Sequence, residues 1–229
     1  MKIEILKKPA NTVVKLNLEP NEKVTAEAGA MIAMSSEMTV TTTNHERERG
    51  KGGFLSGIKR MLAGESFFLN HFSSPAGGEL FLATTLPGDM ECIELDGTKK
   101  LLVQAGAFVA KEPSVSMDIR FDFAKNLFSG ERMIWLELSG KGKVIIGVFG
   151  ALYPVEIKDE YVVDTGNIAA YESTLDFSVK RVAKSISSSI FSGEGLVCRF
   201  KGQGTVYCQT HADKRFGSLL SPLLKPIKQ

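Results

Sequence analysis

One segment occurs three times in this chain, and this internal repetition restricts the folds that the chain can adopt. The copies are Glu-Ala-Gly-Ala-Met-Ile-Ala at 27–33, Gln-Ala-Gly-Ala-Phe-Val-Ala at 104–110 and Asp-Thr-Gly-Asn-Ile-Ala-Ala at 164–170. In every copy an alanine follows the glycine four residues later. Such repetition is typical of chains in which several copies of one supersecondary unit pack together. The sequence therefore predicts an architecture of three similar units.

The residues that follow each copy predict β-strands. Apolar and polar residues alternate at 38–41, 115–118 and 175–178, which is the pattern of a half-buried strand. A Gly-Glu pair then opens a second run of strand-forming residues in each unit, and turn residues separate that run from a third. We predict three hairpins, which pair 66–72 with 79–84, 133–138 with 143–149, and 196–200 with 205–210. The last hairpin would place Cys198 opposite Tyr207.

Between these landmarks, apolar residues recur at helical spacing. We predict short helices over 54–63, 121–128 and 179–190, each with one apolar face. The predicted body is therefore all-β with a few short helices.

A unit of this size cannot easily close its own sheets, so we expect one domain and not three. The three internal β repeats would span approximately 12–90, 91–157 and 158–212, followed by an apolar C-terminal tail at 213–229. Together they would form a pseudo-threefold body resembling a β-sandwich or double-stranded β-helix. Edge strands would remain unless units or subunits pair around the axis, which favours a closed or oligomeric arrangement.

Two residue types recur at equivalent positions of the three units. The repeated glycines are expected to need a positive φ or a close backbone approach, and they are Gly29, Gly106 and Gly166. The repeated carboxylates are Glu65, Glu131 and Glu194. We expect these to cap backbone N–H groups or to pair with Lys or Arg, and the alternative is an acidic, cation-binding ring about the axis.

Charge and cysteine content point to an ordinary intracellular protein. The chain has 28 Lys and Arg against 26 Asp and Glu, a net charge of +2 that does not support nucleic-acid binding. The first residues lack the apolar core of a secretory signal, and we expect no membrane-spanning helix. The three cysteines show no CxxC spacing, which favours free thiols in a reducing cytoplasm.

The sequence contains no recognisable catalytic, metal-binding or phosphate-binding motif. His45, His71 and His211 lie in different contexts without metal-ligand spacing, and no G-x-S-x-G elbow or phosphate-binding loop occurs. We therefore assign no catalytic residue, no metal ligand and no cofactor.

The clearest local charge bias lies in an insertion of the first unit and in the predicted helix after it. Its basic residues are Arg47, Arg49, Lys51, Lys59 and Arg60. With the apolar helix face they could bind anionic lipid at a membrane surface or RNA. Glu46 and Glu48 interleave with them, so a solvated loop beside a covering helix is the favoured interpretation.

The three ordered copies, together with Gly-Glu-Ser-Phe-Phe-Leu-Asn at 64–70, resemble a known family. It comprises bacterial and archaeal relatives of the mitochondrial-biogenesis (altered inheritance of mitochondria) proteins, and the resemblance extends from about residue 3 to residue 211. It implies a β fold similar to the tryptophan-regulated RNA-binding attenuation protein, and it implies homotrimers. It supplies no catalytic residues.

Three functions from different classes remain open. The first is a non-enzymatic oligomeric scaffold or interaction protein, which the repeats and the missing catalytic motifs favour. The second is a binding module for RNA or a small ligand, suggested by the attenuation-protein-like fold. The third is an enzyme with a cleft between repeats.

Overall fold

The computed structural model describes residues 1–44, 67–121, 134–181 and 196–224. Strands dominate these ranges, which also hold one α-helix and three short 3₁₀ turns. The prediction of an all-β protein with a few short helical segments is confirmed.

The strands fall into three consecutive sets along the chain. The first set is β1 (Lys2–Leu6), β2 (Val13–Leu18), β3 (Lys23–Glu27), β4 (Met31–Met34), β5 (Thr39–Asn44), β6 (Phe68–Ser73) and β7 (Gly78–Leu82). The second set is β8 (Met90–Asp96), β9 (Leu101–Gln104), β10 (Phe108–Lys111), β11 (Val115–Phe121) and β12 (Ile134–Gly147). The third set is β13 (Leu152–Ile157), β14 (Glu160–Asp164), β15 (Ile168–Glu172), β16 (Leu175–Arg181), β17 (Leu196–Gly202) and β18 (Gly204–Gln209).

The same antiparallel pairing scheme occurs in all three sets. In the first, β7 lies between β2 and β4, while β6 lies between β3 and β5. In the second, the long strand β12 takes the places of both β6 and β7. Its first half lies between β9 and β11, and its second half lies between β8 and β10. In the third, β18 lies between β13 and β15, and β17 lies between β14 and β16. Strand β1 adds to the free side of β2.

The predicted hairpins are wrong, because the two strands of each expected hairpin lie in different ladders. Strand β6 does not pair with β7, nor β17 with β18, and β12 is one continuous strand. Glycines in the left-handed region lie where the chain leaves one ladder for the next, with φ of 78° at Gly77 in the turn after β6, 106° at Gly140 within β12 and 112° at Gly202 at the end of β17. Glycine adopts this conformation without steric cost, and here it redirects the chain from one ladder to the next.

The cysteine register that followed from the third hairpin is wrong as well. Cys198 lies opposite Val163 and Val179, whereas Tyr207 lies opposite Pro154 and Ala170. Cys92, Cys198 and Cys208 are free thiols.

Neighbouring sets are joined by direct strand pairing. Strand β3 of the first set pairs with β10 of the second, where Ala26 lies opposite Ala110. Strand β9 of the second set pairs with β15 of the third, where Val103 lies opposite Ala170. We call these two ladders the internal junctions.

Apolar side chains from the facing ladders form three buried clusters. Fully buried residues at their centres include Phe72, Phe108, Trp135 and Phe200. In the cluster of the third set the Trp135 ring meets Tyr171 edge-on, with ring centroids 5.0 Å apart. Because the internal junctions run through these clusters, each cluster contains side chains from more than one set.

The expected helices fall mostly on residues 45–66, 122–133 and 182–195, which lie outside the described residues. Four positions assigned to them are strand residues instead, because β11 extends to Phe121 and β16 includes residues 179–181. The sequence also missed the helix that begins the expected tail, α1 (Asp213–Leu220). It is attached to the body by Phe216, whose ring centroid lies 5.3 Å from that of Phe149, and by an Arg215–Asp164 ion pair of 3.0 Å.

We predict that Gly140→Ala lowers the free energy of unfolding by about 2 kcal/mol or more, because alanine disfavours a positive φ and its Cβ would lie too close to backbone. That Cβ would lie 2.7 Å from the Ser114 carbonyl oxygen. Urea unfolding monitored by circular dichroism measures the loss. Gly217→Ala is the control, because its Cβ would meet no atom within 4 Å and alanine favours a helix. Equal losses in both variants would contradict the explanation.

Candidate functional site

Strand β4 is the most exposed strand of the first set. Within the described ranges it pairs only with β7, and all four of its residues are exposed, with Ile32 at 56%. The equivalent strands β10 and β15 are almost completely buried, because each has a second partner across an internal junction. Strand β4 therefore presents an apolar edge to which no second described strand is paired.

Strand β14 of the third set is the second exposed edge, and it is of the strand type that pairs with the equivalents of β4 at the internal junctions. Among the described strands it pairs only with β17, and Tyr161 and Val162 are 49% and 48% exposed. Its equivalents β3 and β9 each pair with a strand of the following set and bury their central residues. We call β4 and β14 the open edges.

An open edge carries unpaired backbone N–H and C=O groups and so offers a template for another strand. Proteins that must stay monomeric usually place charged residues or proline on such edges. Here Met31, Ile32 and Met34 line one edge and Tyr161 and Val162 the other. Their chemistry suits pairing with a further chain.

A cavity of about 280 Å³ forms the second feature of interest. Its walls come from all three sets: the ends of β3, β7, β9, β12 and β18, the turn after β9, and the first residue of α1. Most of the wall is apolar, including Val109, Val148 and Phe149. Its polar side chains include Glu27, Gln104 and Asp213.

Glu27 is the unusual group of this cavity. Burial raises the pKa of its carboxyl to about 7, and no cation of the described ranges offsets this effect. Among the described residues the carboxylate forms no hydrogen bond or ion pair. A carboxylate in this state gains most from a ligand that brings a positive charge or a hydrogen-bond donor.

Other parts of the wall are already structured. The Gln209 side chain accepts a hydrogen bond from Phe149 N at 3.1 Å and donates one to Gly166 O at 3.0 Å, which joins three strand ends. Gly106 leaves room beside Glu27, because a Cβ there would meet no atom within 4 Å.

The repeated glycines differ in their surroundings. Gly29 has a φ of 96°, and a Cβ at Gly166 would lie 3.0 Å from the Ala212 side chain. The prediction is wrong for Gly106, which has neither a positive φ nor a close neighbour. Glycine is not required there by the backbone.

The charged candidates lie outside the described residues. They are the basic residues Arg47, Arg49, Lys51, Lys59 and Arg60, and the repeated carboxylates Glu65, Glu131 and Glu194.

Two of the three histidines are described, and both have partners. The His71 ring lies between two threonines, with Nδ1 2.9 Å from Thr25 Oγ1 and Nε2 2.7 Å from Thr43 Oγ1. His211 Nδ1 lies 2.8 Å from Thr210 Oγ1, and its ring packs on Phe149. Within the described ranges no three His, Cys, Asp or Glu side chains are grouped to hold a metal ion.

Sequence reasoning expected edge strands to remain but did not identify which strands they are, and it missed Glu27. The edges carry no local signal, because β4 and β10 have similar sequences and differ only in whether a neighbour is present. Glu27 did leave a signal: it opens the first copy, and Gln104 and Asp164 open the other two.

The pairing scheme and its two open edges define a class of protein, an all-β protein of three similar strand sets in which two of the described strands each lack the second partner of their equivalents. The family described as Mitochondrial biogenesis AIM24 matches residues 3–211, and the chain belongs to this family. No helix in the described ranges has the length and apolar character needed to span a membrane.

Two relatives from Streptococcus pyogenes are similar over most of their length. An uncharacterized protein of serotype M6 is 27% identical over 216 residues, which are 93% of this chain and 86% of that protein. A crystal structure of another protein from this species has a TM-score of 0.79 and 25% identity, and the match covers 97% of this chain and 99% of the other. The family and these relatives carry no assigned activity.

We predict that Glu27→Gln stabilises the protein at pH 8 by up to about 3 kcal/mol, since one pKa unit corresponds to about 1.4 kcal/mol. The ordinary carboxyl pKa is 4.5 and the folded value is about 7, so the native state binds the proton more tightly than the unfolded state. Stability of the wild type therefore falls as pH rises from about 4.5 through 7, and the variant escapes this loss.

Thermal unfolding of both proteins from pH 4 to pH 8 measures the difference. Glu37→Gln is the control, because a hydrogen bond from Ser36 lowers the pKa of that exposed carboxyl. This control should bring no gain at pH 8. A pH-independent difference between Glu27→Gln and the wild type would contradict the prediction.

Proposed function

We propose that the protein is a non-enzymatic scaffold that self-associates through its open edges, in a reducing cytoplasm. The observation that carries the proposal is the contrast between exposed β4 and its buried equivalents β10 and β15. In this proposal the three strand sets are repeats of one pseudo-threefold body. A further chain would continue the sheets at the point where the third set ends.

Magnitudes favour a closed assembly over a simple dimer. Burial of a Val, Ile or Met side chain contributes about 1.5–3 kcal/mol, and each junction would cover only a few such side chains. Association costs about 4–15 kcal/mol in lost freedom, so one short junction binds weakly. A ring holds every copy by two junctions, and the homotrimer implied by the family resemblance would be such a ring.

The state of the reactive side chains supports a role other than catalysis. Burial raises the pKa of the Cys208 thiol to about 11 and also raises the pKa of the Cys92 thiol. Both effects disfavour the thiolate, which is the nucleophilic form. Ring nitrogens of His71 and His211 lie within hydrogen-bond distance of threonine hydroxyls.

We predict that Ile32→Asp and Val162→Asp each shift the protein toward the monomer and weaken self-association at least about tenfold. Either change would place a charge in an apolar junction, where association would have to remove it from water. Size-exclusion chromatography with light scattering over a concentration series measures the shift.

Val40→Asp is the matched control. Like Ile32 and Val162, Val40 is an exposed β-branched apolar residue of an edge strand. Its strand β5 and the equivalent strands β11 and β16 each pair with one described strand only, so the three sets do not differ at this edge. No partner is therefore missing there, and this variant should associate like the wild type. A wild type that stays monomeric at every concentration would refute the proposal.

The Glu27 cavity favours a second function, the binding of a small organic amine with an apolar body. Its unpaired carboxylate would receive the ammonium group, and the apolar wall around Phe149 would cover the remainder. Binding should be strongest above pH 7, where Glu27 is ionised, and below about pH 10, where an amine is protonated.

We predict that phenethylamine raises the thermal midpoint at pH 8, whereas 2-phenylethanol, which lacks the charge, does not. Glu27→Gln should weaken binding at least about tenfold, because a charge-assisted hydrogen bond is worth about 1.5–3 kcal/mol. Gly106→Leu should block the cavity while the fold is retained. Equal stabilisation of the wild type and Glu27→Gln by the amine would show that it binds elsewhere, and no stabilisation of the wild type would end the proposal.

A further inference from the structure

We propose that β14 of one copy pairs antiparallel with β4 of the next copy, with Ala33 opposite Val163 and Met34 opposite Val162. This inference rests on the proposed self-association and names the two surfaces that meet and their register. The occupant of each open edge is a second copy of this chain, and the contact is head-to-tail.

Equivalent positions follow from the strand registers. Met31 lies opposite Leu82, Phe108 opposite Ile146, and Ile168 opposite Cys208. In each case the register shifts at the next residue, between Met31 and Ala33, Phe108 and Ala110, and Ile168 and Ala170. The three alanines therefore occupy equivalent positions, because each lies two residues after the first paired residue of its strand.

Both internal junctions use this alanine in the same way. Ala110 lies opposite Ala26, and Ala170 lies opposite Val103. Ala26 and Val103 each stand three residues before the repeated glycine of their own set. Applying the same rule to the open edges places Ala33 opposite Val163, which stands three residues before Gly166.

The next pair in each ladder extends the register. Lys111 lies opposite Thr25, and Tyr171 lies opposite Leu102. The corresponding pair is Met34 with Val162, two exposed apolar residues that would cover each other. The open edges thus continue the series that begins with β3–β10 and β9–β15.

The series also argues against a symmetric contact of like edges. Each internal junction joins a strand of the β3, β9 and β14 type to a strand of the β4, β10 and β15 type. A β4–β4 or β14–β14 contact would join strands of one type. A head-to-tail contact instead generates rings when its rotation closes.

The decisive experiment mixes two variants that each lack one edge. Ile32→Asp keeps a usable β14, and Val162→Asp keeps a usable β4. Each variant alone should be monomeric, and an equimolar mixture should form a heterodimer with a single junction, detected by native mass spectrometry. Because that junction is short, the heterodimer should dissociate on dilution.

The other outcomes overturn the inference in recognisable ways. A Val162→Asp variant that still associates alone would indicate β4–β4 pairing, and an associating Ile32→Asp variant would indicate β14–β14 pairing. Wild-type oligomers without a heterodimer at high concentration, and without linking of the cysteine pair described below, would refute the head-to-tail contact while the proposed self-association survives. A monomeric wild type would refute both.

The register has its own test by disulfide formation. Residues directly opposite in an antiparallel pair have Cα atoms about 4.5–5.5 Å apart, within the range that a disulfide spans. In a background with Cys92→Ser, the double variant Met34→Cys, Val162→Cys should give chains linked to one another on a non-reducing gel. Met34→Cys, Tyr161→Cys is the control, because a shift of one residue points the side chain to the other face. Linking by the control pair, or linking within one chain, would overturn the register.

Discussion

Strand pairing between neighbouring sets is the interaction on which the rest of this structure depends. The β3–β10 and β9–β15 junctions give the middle strands their second partners and bury them. Backbone N–H and C=O groups are satisfied in the same ladders, so burial and hydrogen bonding have one source. A row of three sets contains only two such junctions, and one strand of each type is left without a second partner among the described strands.

The same constraint explains why the predicted hairpins do not form. Each set needs two ladders to enclose its apolar side chains, and strands joined by a short turn contribute to different ladders. Glycines such as Gly77 and Gly140 allow the chain to pass from one ladder to the other. Local turn chemistry cannot distinguish this course from a hairpin, because both need residues that accept a positive φ.

The sequence predicted the strands far better than their partners. The alternation of apolar and polar residues at 115–118 and 175–178 correctly predicted β11 and β16, since alternation depends only on which face of a strand is buried. The Cys198–Tyr207 register failed because pairing is decided by contacts between distant segments. Exposure of Ile32 was equally hidden, since it depends on the absence of a neighbouring set and not on any residue near it.

Recurrence of a position carries different information from recurrence of a residue. The alanine after each repeated glycine is retained in all three copies and occupies one place in the ladders. The residue that opens each copy varies: Glu27 and Gln104 line the cavity, whereas Asp164 accepts a hydrogen bond from Gly166 N and an ion pair from Arg215. The position of the repeated alanine is thus filled by the same small residue in every ladder, whereas the residue that opens each copy differs from set to set. A binding role is therefore better sought where equivalent positions diverge, and only Glu27 among these three pairs a raised carboxyl pKa with a place in the cavity wall.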